Sequence, residues 1–196
     1  MITDELFPID PDDLARLHEG LVTDAAASGL LDITYRTIDS PLGELLLAAT
    51  PEGLVRVAFA REGFDEVLAT LSERVSPRVL AAPARLDAAA RQLDEYFSGR
   101  RRAFDLALDD RLSSGFRRTV QRYLPHISYG HTATYTQVAA SVGNPRAVRA
   151  VGSACATNPL PVVVPCHRVL RTDGSLGGYL GGSTAKEVLL ELERSA

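Results

Sequence analysis

The spacing of hydrophobic residues divides this chain of 196 residues into a helical start, a strand-rich middle and a helical end. Near the N-terminus, apolar residues recur at helical spacing behind Asp12 and Asp13, and Gly29 is suited to end that helix. This stripe consists of Leu14, Leu17, Leu21 and Val22. We expect residues 1–31 to form a helical extension, for which a cap on the following domain is the simplest role.

From Ile33 the period changes to that of strands. The predicted strands are Ile33–Tyr35, Leu45–Leu47, Leu54–Phe59 and, further on, Phe104–Leu108. Turn residues at Ser40–Gly43 and Pro51–Gly53 separate the first three strands, which predicts an antiparallel meander. Two helices are expected before the fourth strand, near residues 64–75 and 83–98.

A domain boundary is predicted at Asp109–Asp110, between an N-terminal α/β domain (residues 32–110) and a C-terminal domain (residues 111–196). The C-terminal domain is predicted to be mostly helical, with helices over Phe116–Leu124, Tyr135–Val142 and Arg146–Ala156. Gly143-Asn144-Pro145 breaks the last two helices, as in a helix-turn-helix, although any helical hairpin shares this pattern. The small residues of the third helix suit either tight helix packing or entry into a DNA groove.

Charge is distributed unevenly along the chain. Residues 1–110 carry 11 arginines against 21 acidic residues, whereas residues 111–196 carry 10 basic against 4 acidic residues. This asymmetry favours an anion-facing C-terminal domain, although a solvated basic face without a partner is about as common. The net charge of −4 argues against a general nucleic-acid coat. With no membrane-length apolar run and an acidic Met1–Glu5, we expect a cytoplasmic protein without a membrane partner.

The segment that most suggests chemistry is Val162–Val169, in which Cys166 precedes His167. A thiol beside a proton acceptor is the minimum equipment for nucleophilic cysteine chemistry. Three valines predict a core strand that stops at Pro165, and a turn there would allow the two side chains to cooperate. An inert buried thiol is the commoner case without further context. Cysteine and histidine spacing shows no zinc motif, so we expect no structural zinc site.

A series of motifs in fixed order supplies that context. They are Ser40-Pro41-Leu42-Gly43, the segment Gly143–Gly152, Asn158-Pro159, Pro165–Val169 and the glycine-rich segment Gly177–Gly182. Together, from about Ile33 to Glu193, they resemble the O6-alkylguanine-DNA alkyltransferases, also called methylated-DNA–protein-cysteine methyltransferases. The resemblance implies an α+β fold. Its N-terminal domain would be ribonuclease-H-like with a small antiparallel sheet, and its C-terminal domain mostly helical, with a helix-turn-helix and an active-site loop.

The resemblance also implies a catalytic group. Cys166 would take the alkyl group from guanine O6, with His167 as its base through a water molecule. Glu193 would hold His167, and Asn158 would brace the active-site loop; taken alone, Glu193 is more simply an acid that faces water. A buried thiol has a raised pKa, so an oriented base is needed to supply thiolate. The thioether product has no route back, which implies one reaction per molecule and no cofactor.

Duplex DNA containing alkylated guanine is the implied partner, and we expect the protein to be a monomer. Because O6 of a paired guanine lies inside the base stack, the nucleotide must be flipped out. Tyr135 would help to turn it out or donate to the leaving guanine, and Arg149 would fill the gap from the minor groove. The other implied DNA-binding residues are Thr134, Arg146, Ala147, Ala150 and Gly152. The implied guanine pocket consists of Val162, Val164, Pro165, Tyr179, Leu180 and Gly181.

Four features depart from the family pattern. Gln121 stands where the family usually has tryptophan, a change expected to affect packing rather than chemistry. The turn Ser128–Gly130 lacks the usual proline before its aromatic residue. Leu180 replaces a residue that is often small or polar, and Ser183 replaces a common apolar residue. These last two leave open the size of the alkyl group that the protein accepts.

Three other functions remain open from the sequence. A homologue could move an alkyl group from a different client, for which Leu180 is the sole support. A non-catalytic binder of alkyl lesions would not need Cys166. A helix-turn-helix regulator would need base-reading side chains on the third helix, where Ala147, Ala150 and Ala154 supply none.

Overall fold

The computed structural model describes residues 10–195 and shows a mixed α+β fold; residues 1–9 of the predicted extension and Ala196 lie outside this range. The first half contains α1 (Pro11–Ala27), β1 (Ile33–Ile38), β2 (Leu45–Thr50), β3 (Gly53–Phe59), α2 (Phe64–Arg74), β4 (Val79–Ala81) and α3 (Asp87–Phe97). The second half contains α4 (Gly115–Tyr123), β5 (Ala133–Thr134), α5 (Tyr135–Ser141), α6 (Val148–Ala156), β6 (Val169–Leu170) and α7 (Ser183–Ser195).

The predicted helix of the N-terminal extension forms as α1. Asp10 caps it by accepting a hydrogen bond from the backbone N of Asp12 at 2.9 Å. Its leucine stripe faces solvent, however, and Leu17 is 64% exposed. A polar contact joins α1 to the sheet, where His18 Nε2 donates to the carbonyl of Ala81 at 2.6 Å. The helix was therefore predicted correctly, but its apolar face is not buried on the sheet.

The sheet has the strand order β3-β2-β1-β4. The pairs β1–β2 and β2–β3 are antiparallel, which confirms the predicted meander. The fourth strand, β4, pairs in parallel with β1, so the sheet is mixed rather than purely antiparallel. The strand β4 is not predicted by the sequence, because three half-buried residues are too few to show an alternating pattern.

The strand predicted over Phe104–Leu108 does not form as a strand. The side chain of Gln92 in α3 occupies both backbone groups of Asp105, donating to its carbonyl and accepting from its N at 2.8 Å each. At the end of this segment, Leu108 makes an isolated parallel bridge to Leu54. The alternation of apolar residues here therefore reflects packing of an extended chain onto the core, without a strand partner at Asp105.

A single large hydrophobic core connects the two halves of the molecule. Alternate residues of β2 between Leu45 and Ala48 point to opposite sides of the sheet, one set towards α2 and the other towards the C-terminal helices. The larger cluster includes Tyr96 of α3, Val120 of α4 and Leu189 of α7. The N-terminal half thus packs directly against the helices that carry the candidate site.

The valine run at residues 162–164 is not the strand that the sequence predicted. It forms a buried turn in which Val164 N donates to Leu160 O at 2.7 Å. Val162 has φ +72°, a strained backbone conformation for a β-branched residue that buried surroundings hold in place. After the turn, Cys166–Arg168 forms one turn of 3₁₀ helix. The predicted change of chain direction before Cys166 is therefore present.

Candidate active site

The helix-turn-helix places a basic, small-residue surface beside the core. Thr134 caps α5 in a capping box, accepting from Gln137 N at 3.1 Å while its own N donates to Gln137 Oε1 at 2.7 Å. Because α6 begins at Val148, Arg146 and Ala147 lie in the preceding turn rather than in the predicted helix. The capped start of α5 and the turn after it set the position of α6 at the protein surface.

The two faces of α6 differ sharply. Val151, Ala154 and Cys155 are buried against the core. The opposite face is open and carries the exposed Arg149 and Ala150 and the half-buried Gly152, and the turn before α6 carries the exposed Arg146 and the half-buried Ala147, all predicted DNA-binding residues. This surface combines cationic side chains with small ones, so a polyanion can approach the helix backbone closely.

Gln121, which stands where the family usually has tryptophan, is hydrogen-bonded to α6 on the side that faces the core. Its Nε2 donates to the carbonyl of Ala154 at 2.9 Å, and its Oε1 accepts from the Ser113 hydroxyl. Gln121 is itself buried. The departure at this position therefore places hydrogen bonds inside the core, where Gln121 lines a cavity together with Asn158.

Cys166 begins the 3₁₀ turn, and only 2% of the residue is exposed. Asn158 Nδ2 donates to Cys166 Sγ at 3.2 Å and to Val164 O at 2.8 Å, while its Oδ1 accepts from Leu160 N at 3.1 Å. Burial raises the pKa of the Cys166 thiol to about 11, against the hydrogen bond from Asn158, which favours thiolate. The resting group is therefore a thiol that needs a base.

His167 is fully buried, and its Nε2 lies 2.9 Å from Glu193 Oε1. Donation to an ionised carboxylate assigns the proton to Nε2 and leaves the lone pair on Nδ1. Within residues 10–195, this buried Nδ1 has no hydrogen-bond partner. Burial lowers the pKa of His167 despite the opposing effect of Glu193, so the imidazole is neutral at pH 7. A neutral imidazole with a free Nδ1 is equipped to accept a proton.

Glu193 is 3% exposed and is not the water-facing acid that its helix pattern alone suggests. Arg168 donates to it from Nε at 2.9 Å and from Nη2 at 2.8 Å, and Gly130 N donates at 3.1 Å. Burial would raise the pKa of Glu193, but hydrogen bonds from His167 and Arg168 outweigh it and lower the pKa to about 2. The carboxylate therefore stays charged and orients His167.

Besides Arg168, two more buried residues near this group were missing from the sequence-based site. Tyr96 of α3 donates from its hydroxyl to Glu193 Oε1 at 2.6 Å. Lys186 of α7, the chain's only lysine, donates from Nζ to the carbonyls of Val169, at 2.6 Å, and Leu176. The spacing of Tyr96 with Leu93 on the apolar face of α3 was a signal for its burial, whereas nothing in the sequence showed that the Lys186 ammonium ties down two carbonyls.

The glycine-rich segment packs over the catalytic group through aromatic contacts. The Tyr179 ring meets the His167 ring edge-on, with centroids 6.3 Å apart. A Cβ on Gly177 would lie 2.8 Å from the Tyr135 hydroxyl, so Tyr135 reaches this segment and leaves no room for a larger residue. A Cβ on Gly181 would lie 2.7 Å from the Phe59 ring. Both glycines are therefore required by close contacts.

The other predicted pocket residues occupy two environments. Val162, Val164 and Pro165 are buried in the turn before Cys166. Leu180 is half-buried and lines a cavity of about 370 Å³ that also touches Asn158. The structure thus gathers the proposed catalytic residues, Tyr135 and the glycine-rich segment into one region, and Leu180 borders a cavity that Asn158 also lines.

The part of the chain that the structure describes contains no group of three or more histidine, cysteine, aspartate or glutamate residues able to hold a metal ion. It also contains no helix long and apolar enough to cross a membrane.

Comparison with known proteins identifies the family. Residues 33–109 match the family model described as 6-O-methylguanine DNA methyltransferase, ribonuclease-like domain, and residues 115–195 match the DNA binding domain of the same description. A Methanosarcina barkeri protein named methylated-DNA–protein-cysteine methyltransferase is 41% identical over 161 residues, which cover 82% of this chain and 97% of the relative.

Further relatives agree. A protein of the same name from Mycolicibacterium paratuberculosis is 42% identical, with 83% of this chain and 93% of the relative covered. The crystal structure of Mycobacterium tuberculosis OGT in complex with DNA matches with a TM-score of 0.73 and 39% identity, covering 83% of this chain and 93% of that one. This chain belongs to the methylated-DNA–protein-cysteine methyltransferase family.

Proposed function

We propose that this protein repairs DNA by moving an alkyl group from O6 of guanine in a duplex onto Cys166, once per molecule. The observation that carries this proposal is the arrangement around that thiol. Asn158 donates to the sulfur, and the next residue, His167, is a neutral imidazole oriented by Glu193. The names of the relatives and the DNA-bound structure of one of them support the same activity.

The arrangement accounts for a balanced substitution. Cys166 Sγ forms a bond to the alkyl carbon while the bond from that carbon to guanine O6 breaks. The thiol proton passes through a water molecule to His167 Nδ1, and the departing guanine takes one proton from solvent, to which His167 afterwards releases its own, so no net charge remains on the protein. Burial raises the pKa of Tyr135, so its hydroxyl remains protonated and can donate to the leaving base. The thioether is stable, so Cys166 is consumed.

The exposed face of α6 supports DNA binding through the minor groove. Small residues let the helix approach the duplex, and Arg149 is the long side chain available to fill the gap left by a flipped nucleotide. Thr134 lies at the N-cap of α5 and Arg146 in the turn before α6. Phosphate contacts there would give salt-dependent, sequence-independent affinity. We further propose that the protein acts on this DNA as a monomer in the cytoplasm.

The division into an extension (1–31), an N-terminal domain (32–110) and a DNA-binding and transfer domain (111–196) is likewise proposed. In this division the sheet and α3 support the site from one side, and α4–α7 carry it. The buried contact between Tyr96 and Glu193 supports a working interface between these two parts.

A mass measurement tests the function. The protein is incubated with a duplex that contains O6-methylguanine or with the same duplex carrying guanine, and its intact mass is taken. We expect a gain of one methyl group with the damaged duplex alone. The gain should be absent in Cys166→Ala and retained in Cys155→Ala, the matched buried cysteine. If the protein binds the damaged duplex but gains no mass, a lesion-binding protein is favoured. If it neither binds the duplex nor gains mass, another client is favoured.

A different or larger alkylated client is the second candidate, and the position of Leu180 favours it. Leu180 borders the cavity of about 370 Å³ between the two halves of the molecule, close to Asn158. Competition between duplexes that carry O6-methylguanine and O6-benzylguanine measures the preference. Faster transfer of the benzyl group would support the larger client, and a preference for methyl would exclude it.

A further inference from the structure

The hydrogen-bonded chain that orients His167 continues beyond Glu193 into the N-terminal half of the molecule. The Tyr96 hydroxyl of α3 donates to Glu193 Oε1 at 2.6 Å, and His167 Nε2 lies 2.9 Å from the same oxygen. The hydroxyl is also 3.5 Å from His167 Nε2. This one carboxylate oxygen thus accepts from both halves of the protein: Tyr96 donates from the N-terminal half, and His167 donates from the C-terminal half together with Arg168 Nε and Nη2, at 3.1 and 2.8 Å.

We propose, on the basis of the proposed function, that Tyr96 is a positioning residue for alkyl transfer, which sets the basicity of His167 through Glu193. Each donor on a carboxylate oxygen draws negative charge from it, so two donors weaken the attraction that either one feels. Tyr96 therefore limits how strongly Glu193 favours the protonated imidazolium. This keeps His167 neutral, with Nδ1 free, at lower pH than Glu193 alone would allow.

The position of the Tyr96 hydroxyl is fixed by the packing of its ring. Phe97, Phe104 and Tyr129 surround the ring, with centroid distances of 5.5, 5.2 and 6.0 Å. Tyr96 is fully buried. Burial, reinforced by the charge of Glu193, raises the pKa of the phenol well above its usual range, so it is always a donor. A rigid, permanently protonated donor suits a positioning role.

Other charged and titratable groups around His167 and Glu193 remain when the Tyr96 hydroxyl is removed. They are Cys166 and Arg168 of the 3₁₀ turn, Lys186 of α7, Tyr129 of the loop before β5 and Tyr179 of the glycine-rich segment. Arg168 alone makes three hydrogen bonds to Glu193. The carboxylate therefore stays ionised without Tyr96, and the change is confined to the charge that it presents to His167.

Tyr96→Phe tests this role because it keeps the ring and removes the hydroxyl. We expect the acidic limb of the pH profile of single-turnover methyl transfer to move up by about one unit, since His167 then holds a proton more strongly. The Kd for duplex DNA should not change. Tyr35→Phe is the control, because Tyr35 lies in β1 on the other side of the sheet, in the smaller core cluster. A lower rate at every pH with an unmoved limb would show a packing role and overturn the proposal.

Two further measurements separate this inference from folding and from the proposed function. Replacement of Tyr96 by 3-fluorotyrosine, a stronger donor of nearly the same size, should move the limb to lower pH. Titration of the His167 ring by ¹⁵N NMR should show the same two shifts of its pKa without any substrate. Wild-type protein that transfers no methyl group would refute the proposed function. If the wild-type protein is active but neither replacement shifts the pKa of His167, only the role of Tyr96 is refuted.

Discussion

The two cysteines of this chain lie eleven positions apart and are both buried, yet their surroundings differ. Cys155 is 4% exposed and Cys166 is 2% exposed, and burial raises the pKa of both thiols. Cys155 lies on the inner face of α6, in the hydrophobic core. Cys166 starts a 3₁₀ turn, receives a hydrogen bond from Asn158 and precedes His167.

Under the proposed function, burial alone does not distinguish the structural thiol of Cys155 from the reactive thiol of Cys166. A low dielectric disfavours thiolate at both positions. What sets Cys166 apart is a set of polar groups from separate segments, namely the amide of Asn158, the imidazole of His167 and the carboxylate of Glu193. The strained turn at Val162 connects the first of these to the sulfur. We propose that Cys166 owes its reactivity to the turn and these partners.

Replacement of His167, the proposed base, should have the largest effect, because it removes the main difference between the surroundings of Cys166 and Cys155. We expect His167→Ala to lower the single-turnover rate of methyl transfer by about 10²- to 10⁴-fold, the range of general base catalysis. The Kd for damaged duplex should stay unchanged, because His167 is buried away from the surface. The exposed His131 supplies the control, His131→Ala. A loss smaller than tenfold would mean that Cys166 does not depend on this base.

Removing the hydrogen bond on the sulfur should have the next largest effect. In Asn158→Ala the thiol loses a donor that favours thiolate, the buried Leu160 N loses its side-chain acceptor, and Val164 O keeps only the donor Cys166 N. We expect the transfer rate to fall about tenfold and the free energy of unfolding in urea to fall by about 1–3 kcal/mol. Asn144→Ala, at an exposed turn residue, is the control. An unchanged rate in a destabilised protein would restrict Asn158 to a structural role.

The pH dependence of alkylation by iodoacetamide sharpens the contrast between the thiols. Below a pKa of about 11, the thiolate fraction of Cys166 rises about tenfold per pH unit, so its labelling should be slow at pH 7 and accelerate towards pH 9.5. Cys155 should be labelled more slowly throughout this range. Peptide mass spectrometry assigns the sites. Faster labelling of Cys155 would reverse the comparison.

The smallest effect is expected at the structural cysteine. Cys155→Ala should leave the methyl-transfer rate within about twofold of the wild type and lower the free energy of unfolding by about 1 kcal/mol, as for a modest change in a core. Rate measurements and urea unfolding check both values. A large loss of rate with normal stability would give Cys155 a part in the chemistry.

Much of this architecture follows from local patterns. The meander of β1 to β3, the helices α1 to α6 and the turn before Cys166 were each predicted from spacing and turn residues. The short parallel strand β4 was not, because pairing with β1 is decided by tertiary packing. The valine run gave the opposite error: a strand was predicted, but the β-branched residues at 162–164 form a turn that is stabilised by their burial.

The candidate site was predicted from motifs rather than from physical pattern. Nothing local to Glu193 shows that Arg168 and Tyr96 converge on it from distant segments. Tyr96 itself was detectable as a core residue of α3, but its hydrogen bond depends on how two halves of the chain meet. Long-range polar contacts of this kind have no period in the sequence, so they had to be found in the structure.

The central claim is that Cys166 alone receives the alkyl group. Wild-type protein, with both cysteines present, is reacted with a duplex that contains O6-(trideuteromethyl)guanine, digested and mapped by mass spectrometry. We predict one trideuteromethyl group per molecule, on the peptide that contains Cys166, and none on the peptide that contains Cys155. A label on Cys155, or a label divided between the two thiols, would contradict the account.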